Sequence, residues 1–240
     1  MKEPINFPIR INRYLELKGV ATRRGADELI ERGLVTVNGQ PANLGYKVKE
    51  GDKVEVKKSD KIPEKKYIYL AFNKPRGLAT EQIKIPNIFP LGRLDKESEG
   101  LILLTNDGRV TDHLLNPKYA HKKEYEVEVR EKVSPMHKKI LEGGVTYHET
   151  KSRGRALPRG NAVTLRGKKV EIIDSHNLSI VLTEGKKHEI RRMLASAHLT
   201  VVSLKRVRIM NIKLGNLASG KSRPLTVPEL KEFLGDLGLN

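Results

Sequence analysis

The stretch FPLGRLDKESEGLILLTNDG, residues 89–108, carries the strongest structural signal in the chain. Its apolar run, Leu101-Ile102-Leu103-Leu104, predicts a buried strand that ends at a turn. Asp95 lies just ahead of this strand, where a loop can present a carboxylate over the edge of a sheet. The flanking cations Arg93 and Lys96 favour the ionised form of that carboxylate. Asp95 is therefore either a nucleophile or base in a site, or a salt-bridged loop residue.

The chain of 240 residues is strongly basic, with 46 Lys and Arg against 29 Asp and Glu and a formal net charge of +17. Residues 151–210 hold 14 basic and 4 acidic side chains, a net charge of +10. Such a local excess predicts a nucleic-acid partner, because phosphates attract it and counterion release drives binding. The alternative interpretation is a solvated, charged surface.

Composition also excludes several classes of protein. The sequence has no cysteine, which excludes a disulfide scaffold, Cys-ligated zinc and thiol catalysis. No apolar run approaches the ~18 residues of a membrane span, and the N-terminus lacks the apolar core of a signal peptide. We therefore expect a soluble, cytoplasmic monomer with no membrane association.

The segment 57–66 contains a single apolar side chain besides its proline, so it predicts a linker between domains at 1–58 and 67–240. Apolar spacing in the first domain predicts two short helices, followed by a strand, Val35-Thr36-Val37, that enters a hairpin. The beginnings of the helices carry a cluster of arginines that suits backbone phosphates: Arg10, Arg13, Arg23 and Arg24.

The apolar patterns of the larger domain predict strands interspersed with helices. Residues 124–130 alternate strictly, with Tyr125 on the inward face, either as core or as an aromatic surface for a base. Residues 170–182 predict a hairpin, and residues 187–197 an amphipathic helix. Arg191 and Arg192 lie in the first turn of that helix, against its dipole. An anion, either a carboxylate or a phosphate, could offset this cost; the alternative is a solvated helix face.

Two further motifs in the sequence do not predict a function. Residues 215–222 match the phosphate-binding pattern GxxxxGK[ST], but no helix begins at its Lys-Ser, and the next credible helix follows the cap at Thr226. Nucleotide hydrolysis is therefore not expected. The seven histidines include no pair at metal-ligand spacing on one helix, so we expect no metal.

The motifs taken together resemble the rRNA pseudouridine synthases of the RsuA/RluB/RluE/RluF group. Residues 89–108 nearly reproduce the family signature, and residues 123–125 and 184–193 match its later motifs. Residues 9–56 resemble the RNA-binding domain named after ribosomal protein S-four. Residues 208–211 look most like the RluF branch, and Glu189 departs from the family's frequent glutamine.

This resemblance implies an α+β fold: a small α/β RNA-binding domain linked to a catalytic domain with a mixed, mainly antiparallel sheet. It implies that Asp95 is the catalytic carboxylate, Tyr125 the aromatic beside the uracil and Arg191 the ion-pair partner of Asp95. It also implies isomerisation of a uridine without a cofactor, in rRNA of the large subunit more readily than the small, with tRNA as another possible substrate. The competing class is a non-catalytic RNA-binding or ribosome-assembly protein. Candidate RNA contacts are Arg10, Arg13, Arg23, Arg24, Arg93, Lys96, Arg192, Arg206 and Arg208.

Overall fold

A computed structural model describes residues 5–57, 66–148, 162–186 and 188–239 of the chain. The chain divides into two compact units, residues 1–67 and 68–240. Residues 58–65 of the predicted linker lie outside the described residues, as do residues 151–161 and Lys187 of the basic stretch. Across the described ranges, no helix has the length and apolar character needed to span a membrane.

The first unit combines two short helices with short strands. Its elements are β1 (Ile9–Arg10), α1 (Ile11–Leu17), α2 (Arg23–Glu31), β2 (Val35–Val37), β3 (Gln40–Pro41), β4 (Lys47–Val48) and β5 (Val54–Val56). The Thr22 side chain caps α2 by accepting a hydrogen bond from the backbone N–H of Gly25 at 3.2 Å. Apolar side chains of both helices and of β2 form a core of their own.

The second unit is built on one large sheet. Its elements are β6 (Tyr69–Lys74), β7 (Phe89–Leu91), β8 (Glu99–Thr105), α3 (Arg109–Leu115), β9 (Lys123–Val129), α4 (Pro135–Gly143), β10 (Val145–His148), β11 (Ala162–Leu165), β12 (Lys169–Ile172), β13 (Asn177–Leu182), α5 (Glu189–Ser196), β14 (Val201–Ile209), β15 (Ile212–Lys213), β16 (Ser222–Pro224) and α6 (Val227–Asp236).

The main sheet has the strand order β12-β13-β9-β14-β8-β6-β16, with β15 paired to β14 and β7 paired to β8. The pair β14–β8 is parallel, and the other pairs of this sheet are antiparallel. This confirms the expected fold class, an α+β protein with a mixed, mainly antiparallel sheet.

The sequence patterns of the strands match their burial. In β8 the side chains from Leu101 to Leu104 are fully buried, as a central strand with both faces covered requires. In β9 the side chains of Tyr125, Val127 and Val129 are buried, whereas Glu126 and Glu128 are exposed. The buried face of β9 packs with α4 and α5 into the main core of this unit.

The parallel contact between β8 and β14 depends on a glycine. Gly100 has a φ of +104°, and a Cβ at this position would lie 2.3 Å from the carbonyl oxygen of Arg206. No side chain fits at that distance, so only glycine allows the two strands to approach this closely. The strand that follows the Asp95 loop is thereby held against the strand that carries Arg206.

The segment 215–222 is a loop that leads into β16, and α6 begins only at Val227. Thr226 caps that helix in a capping box with Glu229, as the sequence predicted. The backbone therefore does not place a helix N-terminus behind Lys221, which a phosphate-binding loop requires.

Candidate active site

A pocket of about 700 Å³ opens in the second unit at the meeting point of several elements. Its walls come from the loop after β7, from β9, from the beginning of α5 and from β14. The charged and aromatic side chains in these walls include Asp95, Lys123, Tyr125, His188, Glu189 and Arg206. Groups far apart in the sequence thus converge on one concave site, which is the usual arrangement of an active site.

Asp95 lies on a loop whose backbone is fixed on both sides. Thr80 Oγ1 accepts a hydrogen bond from the N–H of Leu94 at 3.1 Å and donates to the carbonyl oxygen of Leu94 at 2.9 Å. The Asp95 carbonyl accepts from the N–H of Ser98 at 3.0 Å, and the Lys96 carbonyl accepts from the N–H of Gly77 at 2.8 Å. The loop therefore presents the Asp95 carboxylate, about one third exposed, in a defined position.

A buried lysine supports the same loop from below the surface. Lys74, which is 0% exposed, donates from Nζ to the carbonyl oxygen of Lys96 in this loop at 3.5 Å, and to those of Pro75 at 3.0 Å and Leu78 at 2.7 Å in the turn after β6. Burial lowers the pKa of Lys74, and the nearby carboxylates of Asp95 and Glu97 oppose that shift. The loop and the cation beneath it therefore stabilise each other.

The observed side-chain neighbour of the Asp95 carboxylate is His188, which sequence reasoning did not single out. His188 Nε2 lies 3.3 Å from Asp95 Oδ1. His188 precedes α5 in the left-handed conformation, with a φ of +55°, which is uncommon for a residue other than glycine. Its position directly before Glu189 in the motif of residues 184–193 is the signal that could have identified it.

Arg191 lies beside the Asp95 loop but contacts a different part of it. Its Nη2 donates to the carbonyl oxygen of Glu97 at 3.1 Å and to Ser98 Oγ at 3.4 Å. A direct ion pair with Asp95, as the resemblance implies, is not among the contacts within the described ranges. The Arg191 guanidinium extends from the first turn of α5 to the loop two residues past Asp95. The Asp95 carboxylate itself is contacted by His188. Neutral oxygens, rather than an anion, are the observed partners of this arginine.

Tyr125 belongs both to the core and to the pocket. It is 7% exposed and sits in β9 opposite Ile180 of β13 and Arg206 of β14. Its ring packs in the main core, and the residue also lines the pocket. The Tyr125 hydroxyl has no hydrogen-bond partner in the part of the chain that the structure describes. It is thus available to a molecule in the pocket.

The pocket wall also contains charged groups that are largely shielded from water. Burial lowers the pKa of Lys123, and the positive charge of Arg206 lowers it further. Burial raises the pKa of the Glu189 carboxyl, while a hydrogen bond from the Lys186 N–H, at 2.9 Å, opposes this shift. Arg206 is 4% exposed, so it lies in the pocket wall rather than on the surface where the sequence predicted a phosphate contact.

The other predicted RNA contacts lie at or near the surface. Arg93 pairs with Glu81 at 2.7 Å, and Arg208 pairs with Glu124 at 2.7 Å. Arg10, Arg23, Arg24 and Lys96 are exposed, and Arg192 is half-buried. Arg13 and Arg23 both contact Glu16. Most of these cations are therefore accessible, although several already have an acidic partner.

Comparisons with known proteins assign this chain and its fold to a class. Residues 67–196 match the family described as RNA pseudouridylate synthase, and residues 9–54 match the S4 domain. A solved pseudouridylate synthase, 23% identical, shares the fold with a TM-score of 0.64 over 94% of this chain and 99% of its own.

Characterised and uncharacterised relatives align over most of the chain. An uncharacterized RNA pseudouridine synthase of Aquifex aeolicus is 38% identical over 96% of both chains. The ribosomal large subunit pseudouridine synthase B of Bacillus subtilis is 34% identical over 96% of this chain and 98% of its own length. The dual-specificity RNA pseudouridine synthase RluF of Escherichia coli K12 is 34% identical over 92% of this chain and 77% of its own.

The two family matches together define an RNA-modifying enzyme. The chain belongs to the RNA pseudouridylate synthase family and carries an S4 domain at its N-terminal side. It is accordingly an isomerase, which rearranges uridine in RNA to pseudouridine.

Proposed function

We propose that this enzyme isomerises a specific uridine of ribosomal RNA, of the large subunit in particular, with Asp95 acting on a flipped-out nucleotide. The observation that carries the proposal is the anchored Asp95 loop at a pocket shared with Tyr125 and His188. The preference for the large subunit rests on the name of the Bacillus subtilis relative. The RluF-like pattern of residues 208–211 and the dual-specificity relative make tRNA the natural second substrate to test.

The reaction breaks the N1–C1′ glycosidic bond, turns the uracil and joins its C5 to C1′. Asp95 assists this cleavage, either by attacking C1′ or by taking a sugar proton to give a glycal. Arg191, bonded to the loop just past Asp95, holds the loop in place and keeps a positive charge near the carboxylate. Tyr125 stacks on the uracil as it rotates and helps to remove the C5 proton.

The target base must leave its stack before any of these groups can reach it. Flipping a nucleotide costs a few kcal/mol, roughly, and phosphate contacts elsewhere must offset that cost. The S4 unit, with Arg10, Arg13, Arg23 and Arg24, and the body, with Arg93, Lys96, Arg192 and Arg208, supply candidate contacts. We propose that residues 57–66 link these two units as domains 1–58 and 67–240, and that a cytoplasmic monomer carries out the reaction.

The direct test is tritium release from C5-labelled rRNA transcripts by the Asp95→Asn variant. This variant removes the charge but keeps the shape, so we expect it to fold and bind RNA while releasing no tritium. Asp236→Asn, the same change on the exposed surface of α6, serves as the matched control and should retain wild-type turnover. Near-normal turnover by Asp95→Asn would refute the assignment, and a labelled tRNA transcript in parallel determines which RNA is preferred.

A further inference from the structure

Arg206 is a buried cation whose hydrogen bonds leave part of its guanidinium unused. Its Nε donates to the carbonyl oxygen of Leu101 at 2.7 Å, and its Nη1 donates to the carbonyl oxygen of Arg93 at 3.4 Å. Its Nη2 is buried and has no hydrogen-bond partner among the described residues. An arginine can donate five hydrogen bonds, so these two contacts do not use the full donor capacity of Arg206.

The charge of Arg206 also lacks a local anion. Within the described ranges, Arg206 forms no ion pair with a carboxylate, and both of its partners are neutral carbonyl oxygens. Its charge disfavours the protonated forms of Lys74 and Lys123. Burying a charge without a counterion is costly, so a protein retains one where a ligand supplies the missing negative charge. Because Arg206 lines the pocket that contains Asp95, the ligand in question is the one that occupies this pocket.

The proposed reaction generates negative charge inside this pocket. When N1–C1′ breaks, the bonding electron pair leaves with the uracil, and the charge spreads over N1 and the two carbonyl oxygens. The electron deficiency that this leaves at C1′ is relieved in one of two ways. Either the Asp95 carboxylate bonds to C1′, or it takes the 2′ proton so that C1′ and C2′ form the double bond of a glycal. C5 then bonds to C1′ while the bond from C1′ to Asp95 breaks or, in the glycal route, while Asp95 returns the proton to C2′. The C5 proton is released and N1 takes up a proton, so the product is an isomer of the substrate.

We propose that Arg206 is a further catalytic residue, whose guanidinium charge in the pocket wall stabilises the uracil anion as it leaves C1′. This inference rests on the proposed function and adds a site for the departing base to the carboxylate that acts on the sugar. A fixed charge in a pocket shielded from water is well suited to this task, because it needs no reorganisation as the negative charge develops.

A comparison of two leaving groups tests the role of Arg206. Single-turnover rates are measured on rRNA transcripts made with uridine or with 5-fluorouridine, whose electron-withdrawing fluorine stabilises the uracil anion by itself. The readout is the carbon-linked nucleoside in nuclease digests, identified by mass spectrometry. For Arg206→Gln, which keeps a donor for Leu101 but loses the charge, we expect a loss of about 100-fold on uridine but only about 10-fold on 5-fluorouridine.

Two variants separate charge stabilisation from positioning. Ser98→Ala removes an Arg191 contact on the Asp95 loop and should slow both substrates by the same factor. Arg206→Lys keeps a cation, so its two losses should agree within about twofold even if cleavage is slow. If Arg206→Gln proves unfolded by circular dichroism, Arg206→Met, which keeps most of the side-chain length but loses the charge, takes its place in the comparison.

Equal losses of Arg206→Gln on both substrates would overturn the inference and indicate a packing or phosphate-binding role. A lysine variant whose losses on the two substrates differ by more than about fivefold would overturn it as well, because charge would then not be the property that matters. If the wild-type enzyme itself forms no carbon-linked nucleoside on rRNA or tRNA transcripts, the proposed function fails, and the role of Arg206 fails with it.

Discussion

Replacing Gly100 by alanine should damage both the stability and the activity of the second unit. An alanine Cβ at this position would lie 2.3 Å from the carbonyl oxygen and 2.8 Å from the nitrogen of Arg206. Normal contact needs about 1 Å more, so β14 would have to move away from β8 by about that distance. The backbone would also carry a φ of +104°, which an L side chain rarely adopts.

The magnitude follows from these two effects. A residue held in a sparsely populated backbone region costs about 1–3 kcal/mol, and overpacking by one methyl costs about 1–3 kcal/mol more. We therefore expect Gly100→Ala to lose about 3–5 kcal/mol, which lowers Tm by about 10 °C in a domain of this size. Because a shift of about 1 Å at a reacting group can cost about 100-fold in rate, turnover should fall even where the variant is folded.

Differential scanning calorimetry and tritium release at 25 °C measure these two losses. Gly143→Ala is the matched control, because Gly143 is exposed at the end of α4 and a Cβ there meets nothing within 4 Å. This control should be neutral or should gain about 0.5 kcal/mol, since alanine restricts the unfolded chain. A Gly100→Ala protein with the Tm and turnover of the wild type would refute the close parallel contact of β8 with β14.

Three further predictions concern stability and RNA binding. Arg223 lowers the pKa of the Glu229 carboxyl to about 2. The ionised carboxylate stabilises the fold above its unfolded pKa, and this contribution is lost as pH falls through about 2. Glu229→Gln should therefore cost about 1 kcal/mol at pH 7, because the pair is partly exposed, and nothing near pH 2. Tyr69→Phe removes a buried hydrogen bond of 2.5 Å to Asp107 and should cost about 1–2 kcal/mol in thermal unfolding. Arg23→Gln should reduce the slope of log K against log salt for rRNA binding by about 0.7–0.9, the loss of one phosphate contact.

Matched changes on neighbouring surfaces serve as controls. Glu232→Gln, exposed on the same helix as Glu229, should show no loss at neutral pH, and equal curves for the two variants between pH 2 and 7 would contradict the ion pair. Arg32→Gln at the end of α2 should leave the salt slope unchanged. A slope that stays the same in Arg23→Gln would remove this residue from the RNA-binding surface.

Local sequence patterns predicted the elements of this fold because the patterns are themselves local. The apolar run of β8, the alternation of β9 and the capping box of α6 each depend on residues within about two turns or one strand. The hairpin predicted in residues 170–182 is likewise confirmed by the antiparallel pairing of β12 with β13. Family resemblance then supplied the arrangement of the sheet, which periodicity does not contain.

The parts that sequence reasoning missed depend on long-range geometry. The sequence predicts that Arg206 is a surface cation in a basic strand. Only the pairing of β14 with β8 and β9 shows that this residue is buried. His188 contacts Asp95 from a backbone in the left-handed conformation. A histidine in the sequence does not predict that conformation. The resemblance implied an ion pair between Arg191 and Asp95, whereas the observed partners of Arg191 are oxygens two and three positions further along the chain.

The position of β14 at the centre of the sheet has a consequence for the biosynthesis of the enzyme. This strand is the last of the long strands to be made, yet it fills the gap between β8 and β9, which are complete some 70 residues earlier. A chain that ends before Val201 lacks both the strand that joins β8 to β9 and the pocket wall that this strand supplies. We therefore expect a chain truncated before β14 to be inactive rather than partly active.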